Sequence, residues 1–198
     1  MENGLWMKSF FRFLLSKKRT PDSKVELAYD TIEEQLAGAL PELRPAAEQY
    51  WRVEGAEGQD SGAYIFFESM FGCYVEVLLV LDGSPSRDRL LRRAFGFVEE
   101  MFASGDVRVG ELAYVGMFEG MDSWWIVRAK PFIGKRAAAR MDRFNAGWRS
   151  FSASDVPAGE SKWRGPDIID LFNVRAVIAS ELAAEGLGLD DIPGVTHT

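Results

Sequence analysis

The sequence predicts an all-α protein, an antiparallel bundle or stack of roughly six to eight helices joined by short loops. Three observations support this fold class. Apolar residues recur at helical spacing along most of the chain, and no segment shows a convincing two-residue alternation typical of strands. Capping residues and glycines mark helix starts and ends. With 198 residues, 47% of them hydrophobic, the chain can bury a full core.

The chain divides into four predicted parts. Residues 1–22 form a basic amphipathic arm or a helix docked on the domain, here called the basic arm. Residues 23–150 form the helical core domain. Residues 151–165 are small and polar with Pro and Gly, which predicts a linker. Residues 166–198 predict one more helix, which stops at Gly186, followed by a tail.

The core domain is predicted to open with two helices. Ser23 begins the first, because Glu26 three residues later completes a capping box. This helix ends near Pro41, since proline cannot continue a helix. A short second helix is predicted from Pro45 to about Trp51.

Three further helices are predicted to stack antiparallel, because the loops between them are short. The first contains YIFFESMFGCYVEVLL, residues 64 to 79, which is apolar nearly all round and therefore belongs at the centre of the bundle. Ser84 as N-cap and Pro85 at the first helical position start the second helix. Gly105 suits a left-handed helix end, and Asp106 suits the next N-cap.

Glycines are frequent in the third of these helices. Gly110, Gly116 and Gly120 each cost roughly 1 kcal/mol relative to alanine in a helix. Such a cost predicts close packing against a neighbouring helix.

Charge is distributed unevenly along the chain. The net charge is −7, with a pI of about 4.9. Residues 1–24 carry six Lys or Arg and two acidic residues, a net charge of +4, which leaves −11 on the remainder. An acidic protein of this kind lacks the basic face that phosphates require, so we expect no nucleic-acid partner. The acidic balance allows attraction to a basic partner.

The residue inventory excludes several kinds of chemistry. Cys73 is the only cysteine, so neither an internal disulfide nor a thiolate metal cluster can form, and the cytoplasm is the expected compartment. His197 is the only histidine and lies in the tail, which removes the usual catalytic triad and the His-rich zinc site. We expect no cofactor and no metal. No apolar run is expected to reach the roughly 20 residues that span a bilayer.

Several segments resemble a known family. They are PEL (41–43), the stretch at 64–79, LLRRAFGFVEEMFASGDVRVGELAYVGMFEGM (90–121) and KPFIGKRAAARMDRFNAGW (130–148). In this order they resemble a small all-helical family of uncharacterised bacterial proteins of immunity-protein type, some encoded beside polymorphic toxins. The resemblance covers about residues 25–150. It implies a helical fold and a toxin partner, and it carries no catalytic residues.

Two groups of residues are candidates for partner binding. Glu68 borders the apolar stripe of its helix beside Tyr64. It pairs with an arginine or a helix end inside the domain, meets a partner, or serves as a catalytic carboxylate, although the sequence fixes no second acid near it. The second group contains a tryptophan pair near carboxylates, which is typical both of interface anchors and of core caps. Its members are Glu119, Asp122, Trp124 and Trp125.

Neighbouring carboxylates on the fourth predicted helix are not a metal site. Glu99 and Glu100 are adjacent, so their side chains point about 100° apart and do not converge on one ion. We expect both of them on a solvated face.

The sequence therefore favours a non-enzymatic binding protein, and the resemblance implies an immunity protein that neutralises a cognate toxin by direct contact. The alternative is a structural or regulatory module that places its basic arm on a membrane or on a partner. A further alternative is a carboxylate-dependent hydrolase, the only enzymatic chemistry that the residue inventory leaves.

Overall fold

The computed structural model describes residues 26–57, 62–119, 121–144, 147–155 and 180–187. The described residues from 32 to 144 form seven helices and no strand, which confirms the all-α helical bundle. They are α1 (Ile32–Ala39), α2 (Arg44–Glu57), α3 (Gly62–Val80), α4 (Pro85–Met101), α5 (Val107–Phe118), α6 (Ser123–Ala129) and α7 (Lys135–Phe144). The predictions for the basic arm, most of the linker and most of the last helix lie outside the described residues.

Helix α3 occupies the centre of the bundle, as its apolar composition predicts. Its first half contacts α1 and α5, and its second half contacts α4 and α6. The two halves are joined by a π-helical segment, Phe67–Gly72, which packs on α5. The expectation that no apolar run approaches the length of a membrane span is wrong for α3, which has 19 residues and contains an 18-residue window with a mean hydropathy of 1.6. However, 67% of its most apolar window is buried inside the protein, as in a core helix.

The predicted starts of α4 and α5 are confirmed by their capping hydrogen bonds. Ser84 Oγ accepts from the backbone N–H of Arg87 at 3.1 Å. Asp106 Oδ1 accepts from the backbone N–H of Arg108 at 3.0 Å. Each cap satisfies an N–H group that has no partner within its own helix.

Two arginines cover the C-terminal carbonyl groups of α3. Arg87 Nε on α4 donates to Leu78 O at 2.7 Å. Arg128 Nη1 on α6 donates to Leu79 O at 2.6 Å and to Val80 O at 3.1 Å. These bonds satisfy carbonyls that the end of a helix leaves free, and they tie three helices together at one point.

Close packing explains one of the helical glycines. A Cβ on Gly116 of α5 would lie 3.1 Å from Phe67 Cβ in the π-helical segment, so the prediction is confirmed there. The same Cβ on Gly110 would meet nothing closer than 4.0 Å, and Gly120 lies outside the described residues. The left-handed conformation predicted for Gly105 is wrong, because among described glycines only Gly62 and Gly186 have positive φ.

The first predicted helix begins later than its capping box implies. Residues 26–28 are not helical, a 3-10 turn spans Tyr29–Thr31, and α1 starts only at Ile32. Contacts with the α4–α5 turn hold this segment out of a helix. Ser104 Oγ donates to Leu27 O at 2.8 Å, and the N–H of Tyr29 donates to Asp106 at 3.2 Å. Tertiary hydrogen bonds therefore override the local helical pattern.

Glu99 does not lie on a solvated face, contrary to expectation. Its carboxylate accepts the backbone N–H groups of Arg136 at 3.0 Å and Ala137 at 2.8 Å, in the first turn of α7. A Cβ on Gly134 would lie 2.3 Å from Glu99 Cδ, so the glycine makes room for this contact. Glu99 of α4 thus caps α7 from another helix.

The described part of the C-terminal segment packs on the core. Leu182 is fully buried and Leu187 is nearly so. Glu185 forms an ion pair with Arg89 of α4. Residues 180–187 therefore belong to the same folded unit as the helices before them.

Candidate partner-binding surface

Tyr64 and Glu68 lie on the exposed side of α3. The Tyr64 side chain is 37% exposed, and its ring centroid lies 6.3 Å from that of Tyr29. Glu68 follows within the π-helical segment, is exposed, and forms no hydrogen bond or ion pair within the described residues. The prediction that Glu68 pairs with an arginine or a helix end is therefore wrong within the described residues. Segments of π-helix are rare and occur often at functional sites.

A groove of about 450 Å³ lies beside Tyr64. We call it the acidic groove because three carboxylates and two aromatic rings form much of its wall. Its lining residues are Tyr29, Asp30, Thr31, Ile32, Glu33, Glu34, Trp51, Gly62 and Ala63. A concave surface that combines apolar walls with a few charged groups is typical of binding sites.

The floor of the acidic groove is rigidly built around Trp51. Its indole N–H donates to Glu33 Oε2 at 2.7 Å. Its ring stacks on Phe66 of α3, with centroids 5.8 Å apart and planes inclined by 5°. The core beneath the groove thus fixes its aromatic surface. Glu34, in contrast, is exposed and forms no hydrogen bond or ion pair with any described residue.

An arginine of α5 packs on two of the residues that line the acidic groove. The Arg108 guanidinium lies over the Tyr29 ring, 4.9 Å from its centroid, and pairs with Asp30 at 3.2 Å. Hydrogen bonds from Arg108 and from the backbone N–H of Tyr29 hold the pKa of Asp106 below its ordinary value. Tyr29 and Asp30 therefore have the chemistry that recognises a guanidinium, an aromatic face beside a carboxylate.

A second groove, of about 270 Å³, lies between α5, α6 and α7. We call it the Phe144 groove. Its lining residues are Tyr114, Phe118, Glu119, Met121, Ile126, Met141 and Phe144. The predicted site residue Glu119 belongs to it, and Asp122 is exposed three residues later. The structure thus places Tyr64 beside the acidic groove and Glu119 in the Phe144 groove.

Trp124 and Trp125 are not surface anchors, which corrects their place among the candidate residues. Each is 5% exposed. The Trp125 ring packs against Phe95 and Phe118, with centroids 5.9 and 6.1 Å away. Both rings lie with the other apolar residues of α6 on the face of the helix that packs on the core, so neither ring is accessible to a partner.

A polar cluster runs from the core to the surface: the buried Tyr74 of α3 donates to Glu42, which also pairs with the exposed Arg93. Burial raises the pKa of the Tyr74 hydroxyl, and the neighbouring Glu42 carboxylate raises it further. The hydroxyl therefore stays protonated and keeps donating. These three residues connect the turn before α2 to α3 and α4, and their role is structural.

Sequence reasoning missed most of the acidic groove. The sequence pattern predicts a regular helix over Tyr29, Asp30, Glu33 and Glu34, and it places Trp51 only at the end of the next helix. The sequence YDTIEE does concentrate acids around an aromatic residue just before an apolar helix, which is a usable signal. Phe144, 56% exposed, was missed as well.

These features define an all-α helical bundle with an acidic, aromatic surface groove. Within the described residues no group of three or more His, Cys, Asp or Glu side chains could hold a metal ion. The chain belongs to the family of a domain of unknown function, DUF7674, which matches residues 33–142. Comparison with curated proteins and with solved structures gives no significant match.

Proposed function

We propose that this protein is a non-enzymatic binding protein that holds a basic protein partner at the acidic groove and at the neighbouring Tyr64 and Glu68. One observation carries the proposal: the groove is walled by fixed aromatic rings and carboxylates. The exposed carboxylates of Glu34, in the groove, and of Glu68, four residues after Tyr64 on α3, have no partner within the described residues. Tyrosines that present an aromatic face beside charges are frequent anchors of protein interfaces.

The finer proposal is that the partner is a bacterial toxin, which the protein neutralises in the cytoplasm by direct contact. Two observations support it. Residues 25–150 resemble proteins of immunity type in the order of their segments. The chain outside its first 24 residues carries a net charge of −11, which would attract a basic toxin surface and speed the encounter.

Growth rescue tests the finer proposal. The protein encoded beside this chain would be expressed alone and together with the full chain, and growth would be measured by plating. We expect arrest with the neighbour alone and recovery with the pair. A neighbour that leaves growth unaffected, or that arrests growth even when the full chain is present, would contradict the toxin proposal.

A charge reversal tests the binding surface itself. With the purified neighbour protein, Glu68→Lys should weaken binding by about 2–4 kcal/mol, because a cation would face a basic partner. Glu111→Lys is the matched control, since Glu111 is exposed on α5 and lines neither groove. Isothermal titration calorimetry would compare the two variants. Equal affinities for both would show that the partner binds elsewhere.

A further inference from the structure

Three arginines form a stripe along the outer side of α7. Arg136, Arg140 and Arg143 are spaced four and three residues apart, so their side chains fall within an arc of about 60° around the helix axis. Arg136 and Arg143 are exposed, and Arg140 is half-buried. None of the three guanidinium groups forms an ion pair or a hydrogen bond with a described residue. We call this stripe the arginine face.

The arginine face differs from the other charged surfaces of this acidic protein. Outside its first 24 residues the chain carries a net charge of −11. Seven described arginines elsewhere in the fold pair with carboxylates of the same chain. On α7, in contrast, no carboxylate of a described residue reaches the three guanidinium groups. Their positive charge is therefore left for a partner.

Two aromatic rings hold the central guanidinium of the arginine face. Arg140 Cζ lies 5.7 Å from the ring centroid of Tyr114 and 4.9 Å from that of Phe144. The centroids of these two rings are 4.5 Å apart. Arg140 Nε is buried and has no hydrogen-bond partner within the described residues. A guanidinium without an acceptor is uncommon where it is partly buried, and a carboxylate of a partner would supply one.

The Phe144 groove lies directly beside the arginine face. Met141 and Phe144 of α7 line the groove, and around the helix axis Phe144 falls between Arg140 and Met141. The groove volume of about 270 Å³ is below the roughly 300–1,000 Å³ of small-molecule sites, so it suits a single side chain of a protein. Glu119 is the one acidic residue in its lining, and it favours an apolar side chain over a carboxylate there.

We propose that the arginine face and the Phe144 groove together bind a short acidic segment of a partner protein. Carboxylates of the segment pair with Arg136, Arg140 and Arg143, and one apolar side chain of the same segment enters the groove. This surface shares no lining residue with the acidic groove and has the opposite charge. It is therefore a second binding site, beyond the one in the proposed function.

The size of the arginine face favours a protein segment over a nucleic acid. From Arg136 to Arg143 the helix rises by about 10 Å, the length of roughly three extended residues. Two or three acidic residues in a short segment therefore match the stripe. A nucleic acid would continue beyond it and place further phosphates against a chain whose net charge repels them.

Peptide selection on the full chain tests the proposal. The probe is a displayed library of random short peptides. We expect the enriched peptides to carry at least two Asp or Glu and one large apolar residue, and to be lost when the Arg136→Gln, Arg143→Gln double variant replaces the wild type. Acidic peptides that persist on the double variant would overturn the proposal. Enrichment of basic peptides alone would also overturn it, while supporting the proposed function.

Affinities for one enriched peptide identify the residues that bind it. Fluorescence anisotropy should show a loss of about tenfold or more for Arg140→Gln and for Phe144→Ala, because each removes a central contact. Arg44→Gln is the matched control, since Arg44 is exposed on α2 and lines neither groove. Circular dichroism would confirm that the variants fold. Equal affinities of Arg140→Gln and the control would overturn the proposal.

Two further measurements distinguish other occupants of this surface. A labelled single-stranded oligonucleotide should bind at least about tenfold more weakly than the peptide at the same salt concentration. Sedimentation velocity should give the same mass for the wild type and the double variant. Tighter binding of the oligonucleotide would overturn the proposal in favour of a nucleic acid. A dimer that the double variant abolishes would overturn it in favour of a second copy of this chain.

Discussion

The carboxylate of Glu99 joins α4 to the first turn of α7. It receives two backbone N–H groups of α7 and lies against Gly134, which has no side chain to exclude it. This is the role that the sequence suggested for Glu68, an acid paired with a free helix end. A wheel projection separates faces within one helix, but it does not reveal which neighbouring helix end lies opposite a given side chain.

Removing the Glu99 carboxylate should leave the first turn of α7 without its cap. We expect Glu99→Ala to lower the free energy of unfolding by about 1–2 kcal/mol, because the two N–H groups lose an ionised acceptor. Urea denaturation followed by circular dichroism measures this value. Glu111→Ala, on an exposed position of α5, should change stability by less than about 0.5 kcal/mol. A similar small change for Glu99→Ala would contradict the capping role.

At the scale of elements, helix positions were largely predictable and the groove was not. Ser84 and Asp106 mark the starts of α4 and α5 through local capping hydrogen bonds, which depend on residues two or three positions apart. Tyr29 could not be placed this way, because its backbone is held by Asp106, which is 77 residues away. A hydrogen-bond partner that lies so far away along the chain leaves no periodic pattern in the sequence.

Two helical glycines on neighbouring elements should respond oppositely to alanine. Gly96 on α4 has open space around the added Cβ, so Gly96→Ala should stabilise the protein by about 0.5–1 kcal/mol. At Gly116 the added methyl would press on the fully buried Phe67, so Gly116→Ala should destabilise it by about 1 kcal/mol or more. Thermal unfolding of both variants makes the comparison. Equal stabilisation by both substitutions would mean that the π-helical segment shifts at little cost to make room for the methyl group.

At the scale of the whole molecule, the C-terminal residues 180–187 complete the core. Leu182 is fully buried, although it lies in the last predicted helix, beyond the segment that the sequence predicts to be a linker. The family match ends at residue 142, so these residues add to the core from outside the matched region. The boundary of the family domain is therefore not the boundary of the folded unit.

Truncating Leu182 should therefore destabilise the whole fold. We expect Leu182→Ala to cost about 2–5 kcal/mol, because a large buried side chain leaves a cavity. Val107→Ala is the control, since Val107 is 71% exposed and its loss should cost less than about 0.5 kcal/mol. Unfolding would be followed by near-ultraviolet circular dichroism. A Leu182→Ala variant as stable as the control would show that residues 180–187 fold apart from the bundle.

The π-helical segment of α3 also determines how this surface can evolve. A helix turns by about 100° per residue, so the extra residue in a π turn sets the phase between the two halves of α3. Loss of a single codon within residues 67–72 would rotate the first half of α3 by about 100° relative to the second half. This rotation would move Tyr64 away from the acidic groove and would also take the buried Phe66 out of its stack on Trp51. The length of this segment is therefore constrained by the core as well as by the exposed surface.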